Sequence, residues 1–208
     1  MAIADILNAI VSLKKDEVVE NVIAEIEAGT QVDDILNKGL IGAMDVVGEK
    51  FSSGEFFVPE MLMAAKAMQA GLEVLKPHLS GDAAAEKGTI IIGTVKGDLH
   101  DIGKNLVTMM VEGAGFNVID LGVDVDTDKF VSEAQTRNAD VVCLSALLTT
   151  TMPSMAKTVE AIKEAGLKVK TIVGGAPVTD AYAQQIGADG FSDNAPGAVE
   201  LIRKLVAA

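Results

Sequence analysis

The sequence predicts an α/β protein, in which an N-terminal four-helix bundle precedes a doubly wound domain with a parallel five-stranded sheet. In residues 1–79, apolar side chains recur at the three- and four-residue spacing of amphipathic helices. After residue 88, short β-branched runs alternate with amphipathic segments, which is typical of a parallel sheet with right-handed crossovers. The small, polar stretch SGDAAAEKG separates the two parts. We therefore predict a helical domain at 1–80, a linker at 81–88 and an α/β domain at 89–208.

Four helices are predicted in the first part. Residues 3–13 form one, and Asp16 can cap a second helix that continues until Gly29. A third covers residues 32–47, and a fourth begins at Pro59, which suits the first turn of a helix. Helices of this length joined by short turns pack most simply as a bundle.

Five strands are predicted in the second part, giving a Rossmann-like or flavodoxin-like sheet. The run from Thr89 to Val95 is too short and too β-branched for a helix, and it suits a strand buried on both faces. Four runs follow: FNVIDLG from Phe116, ADVVCLS from Ala139, KVKTIVGG from Lys168 and the weaker GADGFS from Gly187. The amphipathic segments begin near Ile102, Asp128, Pro153, Asp180 and Ala195. Ligands of such sheets bind beyond the carboxyl ends of the strands, where the strand order reverses.

The composition excludes several classes of protein. With 17 basic and 30 acidic residues, the chain carries a net charge of −13 and is a poor candidate for nucleic-acid binding. No apolar run approaches the ~20 residues that a membrane span needs, and the first residues do not resemble a secretion signal, so we expect a cytoplasmic protein. Cys143 is the only cysteine, and its apolar surroundings predict a buried strand position.

The scarcity of soft ligands restricts metal binding. His78 and His100 are the only histidines, so one chain cannot build a four-ligand Cys/His zinc site. We expect His78, beside Pro77, to be a helix-terminus residue rather than a ligand. A transition metal bound here would have to receive most of its ligands from a cofactor.

The loop after the first strand, residues 96–105, is the richest in chemistry. It does not match a phosphate-binding loop, because five residues rather than four separate Gly97 from Gly103 and no Ser or Thr follows Lys104. His100 could be an ordinary solvated histidine. However, Asp98 lies two positions earlier and can hold one ring nitrogen while the other coordinates a metal.

Three motifs in order resemble those of cobalamin-binding proteins. The first is D-x-H-x-x-G, formed by Asp98, Leu99, His100, Asp101, Ile102 and Gly103. The second is S-x-L at Ser145, Ala146 and Leu147, and the third is Gly174-Gly175 after 26 intervening residues. The N-terminal helices look like the helical cap of methionine synthase and of the small corrinoid proteins of methanogens and acetogens. The resemblance therefore covers the whole chain.

The resemblance implies a cobalamin or related corrinoid as cofactor, whose ring supplies four nitrogens to cobalt. His100 would be the lower axial ligand and Asp98 the carboxylate that supports it. The family often has a serine as the third member of this relay, and Thr151 occupies that position here. The nucleotide tail of the cofactor would thread into the α/β domain.

Other candidate contacts have structural alternatives. Gly174, Gly175 and Ala176 provide the close backbone approach that a buried nucleotide tail needs, although a glycine pair also suits an ordinary turn. Ser145 and Thr149 offer hydroxyls to a base or ribose, although they could instead cap the helix that starts near Pro153, and Thr151 could serve both purposes. In the family, the apolar side of the cap covers the upper face of the ring. Our candidates for this role are Phe57, Met61 and Met68, with core packing as the alternative.

The function that the resemblance implies is methyl carriage, with the cobalt cycling between Co(I) and methyl-Co(III). The implied partners are a substrate-specific methyltransferase, a second methyltransferase with tetrahydrofolate or coenzyme M as acceptor, and a reductive activase. We find no residues for activating a methyl donor, so we expect the chain to be non-catalytic on its own. The alternatives are a cobalamin-binding subunit of an adenosylcobalamin mutase and a cobalamin-dependent sensor.

Overall fold

The computed structural model describes residues 3–78 and 87–207. The chain divides into two compact units, one of residues 1–86 with 113–115 and the other of residues 87–112 with 116–208. The predicted linker at 81–88 lies outside the described residues except for its last two positions. None of the described helices is both long and apolar enough to cross a membrane.

The helical unit follows the predicted order of helices, but Asp16 lies inside the second helix and does not cap it. Its elements are α1 (Ile3–Val11), α2 (Lys15–Glu27), α3 (Val32–Asp34), a π-helical segment (Ile35–Ile41), α4 (Gly42–Ser52), α5 (Val58–Leu75) and a short 3₁₀ turn (Lys76–His78). The third predicted helix is thus a continuous helical run that extends to Ser52 and contains a wide π segment. A period of about 3.6 residues predicts a helix, but it does not reveal a local change to π geometry.

Small residues allow the helices of this unit to approach closely. A Cβ at Gly71 on α5 would lie 2.8 Å from a methyl carbon of Leu40 and 2.9 Å from one of Val18 on α2. Leu40 and Val18 are fully buried, so this contact lies in the core of the unit. Pro59 lies in the first turn of α5, as predicted, and the Glu60 carboxylate accepts a hydrogen bond from the Phe57 N–H at 3.0 Å.

The α/β unit contains all five predicted strands: β1 (Thr89–Thr94), β2 (Asn117–Asp120), β3 (Val141–Ser145), β4 (Lys170–Gly174) and β5 (Gly190–Ser192). Five helices alternate with them: α6 (Ile102–Gly113), α7 (Thr127–Thr136), α8 (Met152–Glu164), α9 (Asp180–Ile186) and α10 (Ala195–Val206). All pairings are parallel, in the order β2-β1-β3-β4-β5. The doubly wound fold is confirmed.

The strand order reverses between β1 and β3. Because β1 continues to β2 on one side while β3 lies on its other side, the loops after β1 and β3 diverge and leave a crevice at this edge. Cys143 is buried in β3, as predicted, and burial raises the pKa of its thiol to about 12. This thiol therefore stays protonated at neutral pH, and β3 presents no thiolate.

Candidate functional site

The candidate site lies where β1 and β3 end side by side. Thr94 pairs with Ser145, and the Val95 N–H donates to the Ser145 carbonyl at 3.0 Å. This register brings the D-x-H-x-x-G loop after β1 next to the S-x-L segment after β3. Two of the three motifs are thus joined by the sheet itself.

Asp98 is the centre of the hydrogen-bond network between these loops, and it is fully buried. Its Oδ2 accepts hydrogen bonds from the Leu147 N–H at 2.8 Å, the Leu148 N–H at 3.2 Å and the Thr151 hydroxyl at 2.7 Å. Its Oδ1 lies 2.7 Å from His100 Nδ1 and 3.1 Å from the His100 backbone nitrogen. The carboxylate therefore ties the two loops together.

These donors keep the Asp98 carboxylate ionised. Burial by itself raises the pKa of Asp98, but the hydrogen bonds from Thr151, His100 and Leu147 outweigh it and hold this pKa far below its usual range. Because an ionised carboxylate can only accept a hydrogen bond, His100 Nδ1 carries the hydrogen that points to it.

His100 is consequently presented with one nitrogen fixed and one available. Its side chain is 49% exposed, although its Asp98 partner is fully buried. Thr94, also fully buried, donates its hydroxyl to the His100 carbonyl at 2.9 Å and so fixes the backbone as well. Nε2 is left as the ring nitrogen that can coordinate a metal from the solvent side.

Thr151 takes part in the network and does not cap α8 with its side chain. It occupies the N-cap position of α8 but makes no side-chain capping bond there. Its hydroxyl lies 2.7 Å from Asp98 Oδ2 and 2.8 Å from the Leu148 carbonyl, and a single hydroxyl hydrogen is shared between these two acceptors. The expectation that Thr151 would also cap α8 with its side chain is therefore wrong.

Exposed apolar side chains lie near this histidine in the chain and on the segment whose backbone binds Asp98. Leu99 is 70% exposed and Ile102 is 81% exposed, while Leu147 and Leu148 across the crevice are each more than 40% exposed. Four large hydrophobic side chains on two adjoining loops form the kind of apolar surface that a ligand covers. Asp101, between Leu99 and Ile102 in the chain, is half-buried.

The packing of the protein requires glycine at some of the motif positions and not at others. A Cβ at Gly103 would meet nothing within 4 Å, so the chain itself does not demand a glycine there. At Gly175, by contrast, φ is +125° and a Cβ would lie 1.9 Å from the Ala146 carbonyl oxygen. A Cβ at Gly174 would lie 3.0 Å from the Ser192 carbonyl oxygen. The backbone of neighbouring loops thus accounts for the glycine pair, and its contact with a nucleotide tail stays a prediction.

The remaining candidates lie at the same edge of the sheet or in the helical unit. Ser145 is half-buried, and Thr149 and Ala176 are exposed. Neither Ser145 nor Thr149 occupies the N-cap of α8, so the capping alternative is wrong for them too. In the helical unit, Met61 and Met68 are each 1% exposed whereas Phe57 is 64% exposed. Only Phe57 of these three is accessible to a ligand in this structure.

Sequence reasoning missed two parts of the site. Thr94 is the polar residue that ends the buried run TIIIGT, and this position at a strand end could have identified it. The Leu148 N–H left no signal in the sequence, because a backbone donor has no residue type. The Leu147 and Leu148 amides that donate to Asp98 belong to a loop that follows Asp98 by almost fifty residues in the sequence.

The residues fit a corrinoid. Within residues 3–78 and 87–207, no group of three or more His, Cys, Asp or Glu side chains could hold a metal ion. A corrinoid needs a single imidazole from the protein, and His100 offers one with a defined free nitrogen. The exposed leucines and Ile102 suit an apolar ring, and the open space at Gly103 suits close approach of a bulky group.

Comparison with known proteins identifies the family. The family model described as B12 binding domain matches residues 88–202, and a second model of the same description matches residues 2–76. Dimethylamine corrinoid protein 1 of Methanosarcina acetivorans is 43% identical over 206 residues, which cover 98% of this chain and 96% of that protein. A cobalamin-binding protein from Desulfitobacterium hafniense DCB-2 superposes with a TM-score of 0.84 at 35% identity, over 99% of this chain and 98% of that one.

A methyltransferase complex gives a further match. The structure of the methanol:cobalamin methyltransferase complex MtaBC from Methanosarcina barkeri superposes with a TM-score of 0.88 at 33% identity, over 99% of this chain and 80% of the matched chain. The family models and the relatives together cover both the helical and the α/β units. The chain belongs to the B12-binding domain family, and its cofactor is cobalamin or a related corrinoid.

Proposed function

We propose that this protein is a corrinoid methyl carrier, which receives a methyl group from a substrate-specific methyltransferase and gives it to a second methyltransferase. The observation that carries the proposal is the half-exposed His100 ring, whose Nδ1 is fixed 2.7 Å from the buried Asp98. The site would offer a single imidazole nitrogen to cobalt, and the described residues hold no group of three or more His, Cys, Asp or Glu side chains that could bind a metal ion instead. The full-length match to a dimethylamine corrinoid protein supports carriage of methyl groups over a mutase subunit or a sensor.

The roles of the residues follow from their contacts. Nε2 of His100 would bind cobalt, while Asp98 holds Nδ1 and Thr151 holds Asp98. When bound, the corrinoid supplies a cobalt that takes up and releases a methyl group. Since the Asp98 carboxylate stays ionised and accepts from Nδ1, Nε2 would remain the nitrogen that faces the cofactor.

The partners belong to the same proposal. The matched methanol:cobalamin methyltransferase complex supports a methyltransferase as donor enzyme. The second methyltransferase would use tetrahydrofolate or coenzyme M, and a reductive activase would restore oxidised cobalt. We propose that the chain carries the methyl group without catalysing either transfer on its own.

The group on the cobalt tests the proposed function. Protein purified in dim light and without oxygen is expected to release a corrinoid that carries a methyl group, which mass spectrometry identifies. An adenosyl group would instead indicate a mutase subunit or a sensor, and the carrier proposal would then be wrong.

Replacement of His100 tests its role as axial ligand. In His100→Ala, the protein should still bind corrinoid through the apolar and backbone contacts, but the visible spectrum should shift to that of a form without histidine coordination. The matched control is His78→Ala, because His78 lies in the turn after α5 and is the only other histidine. A spectrum that is the same in His100→Ala and the wild type would remove His100 as ligand.

Gly103→Ala should change stability and binding in opposite directions. Since Gly103 is a helical residue of α6 with nothing within 4 Å of its Cβ position, alanine should stabilise the apoprotein by about 0.5 kcal/mol. The added methyl group should nevertheless weaken corrinoid binding by about 10-fold, because it fills space beside His100. Urea unfolding and titration with hydroxocobalamin measure the two effects. Unchanged affinity would show that the cofactor does not approach this position.

A further inference from the structure

Lys104 is a buried lysine that follows the D-x-H-x-x-G motif. Its side chain is 2% exposed, in the first turn of α6, and lysine is almost never buried to this degree unless it is paired. Its Nζ lies 2.5 Å from Asp120 Oδ2 at the end of β2 and 2.7 Å from Asn105 Oδ1. A well-packed apolar residue often does as well for stability as a buried ion pair, so the pair calls for another role.

One route from Lys104 leads to the residue after His100. The Asn105 side-chain oxygen accepts from Lys104, and the same amide group donates through Nδ2 to Asp101 Oδ2 at 3.1 Å. The Asn105 backbone N–H also donates to the Asp101 carbonyl, at 2.7 Å. Lys104 therefore orients the amide group that holds Asp101.

A second route leads from Asp120 to the carbonyl of His100. Asp120 Oδ1 accepts from the Gly122 N–H at 2.8 Å, and the Gly122 carbonyl accepts from the Thr94 N–H at 2.9 Å. Thr94 then donates its hydroxyl to the His100 carbonyl at 2.9 Å. The first route ends at Asp101 and the second at the carbonyl of His100, so Lys104 and Asp120 connect to two consecutive residues of the histidine loop, residues 96–105.

We propose that Lys104 and Asp120 are positioning residues, which fix the backbone of the histidine loop so that the His100 ring stands at the height and angle needed for coordination. Asp98 sets the tautomer and rotation of the ring, whereas the Lys104–Asp120 pair sets the position of the peptide that carries it. The second part of the test rests on the proposed role of His100 as ligand; the first part does not.

The first test uses the apoprotein and the variant Lys104→Met, which keeps the aliphatic stem and removes the charge. The His100 N–H donates to Asp98, and the Asn105 N–H donates to Asp101. We expect hydrogen exchange at these two amides to accelerate by about 10-fold or more, while the amide of Ile172 in β4 is unchanged. The matched control is Lys129→Met, which removes a lysine from the exposed pair with Glu133 on α7.

The second test uses protein loaded with hydroxocobalamin. In Lys104→Met, the ratio of histidine-bound to histidine-free cofactor, read from the visible spectrum, should fall about 10-fold relative to Lys129→Met, within the range found for residues that orient metal ligands. Asp120→Asn keeps a hydrogen-bond acceptor for Lys104 and should give a smaller change in the same direction. If Lys104→Met does not fold, the same measurements on Asp120→Asn and Asp120→Ala test the proposal. Asp120 is 34% exposed, so its replacement is better tolerated.

The outcomes are distinguishable. A purely structural pair would lower the melting temperature of Lys104→Met and leave both the exchange at His100 and the coordination ratio unchanged, which would overturn the proposal. If His100→Ala shows that His100 is not the ligand, the coordination ratio has no meaning, but amide exchange in the apoprotein still decides whether the pair positions the loop. Faster exchange at His100 in Lys104→Met and Asp120→Ala, and not in Lys129→Met, supports the proposal.

Discussion

Gly175→Ala is expected to destabilise the α/β unit by about 4 kcal/mol or more, enough to leave much of the protein unfolded. A Cβ at this position would lie 1.9 Å from the Ala146 carbonyl oxygen and 2.9 Å from its carbonyl carbon. Ala146 is fully buried in the S-x-L segment, and its N–H donates to the Gly174 carbonyl, so neither backbone can move away freely. The φ of +125° adds strain of its own for any residue with a Cβ.

Gly166→Ala is the control for a positive φ without a steric contact. Gly166, after α8, also has a positive φ, of +66°, but its Cβ position has nothing within 4 Å. We expect this variant to lose only about 1 kcal/mol. Urea unfolding can be followed by fluorescence of Tyr182 in α9, because the chain has one tyrosine and no tryptophan and this signal reports on the α/β unit. Equal losses in the two variants would show that φ alone, and not the contact with Ala146, requires the glycine.

The sheet could be predicted because its strands are buried. Burial on both faces selects short β-branched runs, and β1, with the sequence TIIIGT, shows this most clearly. The sequence pattern of β5 is weaker because none of its three residues is fully buried. The π segment at Ile35–Ile41 could not be predicted, because its apolar and polar residues keep the spacing of a helix. It differs from an α-helix in its backbone hydrogen bonds.

The site could be predicted in its side chains but not in its backbone. Asp98 and His100 were found by their types and spacing and Thr151 by the family resemblance, and the structure places all three in one network. The donors from the Leu147 and Leu148 backbones depend on the register of β1 against β3, which no local pattern encodes. The steric reason for a glycine at position 175 also could not be predicted, because it is a close approach to the backbone of Ala146.

Asp98→Asn is expected to keep the fold and reduce coordination of the cofactor by His100 by about 100-fold. The amide oxygen of the variant should face the three donors that now meet Oδ2, namely the Leu147 and Leu148 N–H groups and the Thr151 hydroxyl. Its NH₂ group would then face His100. The His100 ring can accept a hydrogen bond from this NH₂ group only if Nδ1 carries no hydrogen. The ring hydrogen then lies on Nε2, and Nε2 can no longer bind a metal.

The visible spectrum of hydroxocobalamin-loaded protein measures this loss. The matched control is Asp140→Asn, since Asp140 accepts a backbone hydrogen bond from Thr89 at 2.8 Å that an amide oxygen can also accept. Unchanged histidine coordination in Asp98→Asn would show that the carboxylate does not set the tautomer.

Asp98→Asn should also cost about 2 kcal/mol of stability at neutral pH, because its NH₂ group meets the His100 backbone N–H.

The difference in stability between wild type and Asp98→Asn should depend on pH in a defined direction. The pKa of Asp98 is held far below its usual range in the folded protein, whereas in the unfolded chain it is about 3.9. Below about pH 5 the unfolded chain begins to bind a proton at this position and the folded protein does not, so the stabilisation by the carboxylate is lost as the pH falls. The variant has no such carboxylate and escapes this loss. Urea unfolding at pH 7, 4.5 and 3.5 should therefore show the advantage of the wild type shrinking with acidity, and a constant difference would mean that the folded protein does not hold the charge of Asp98.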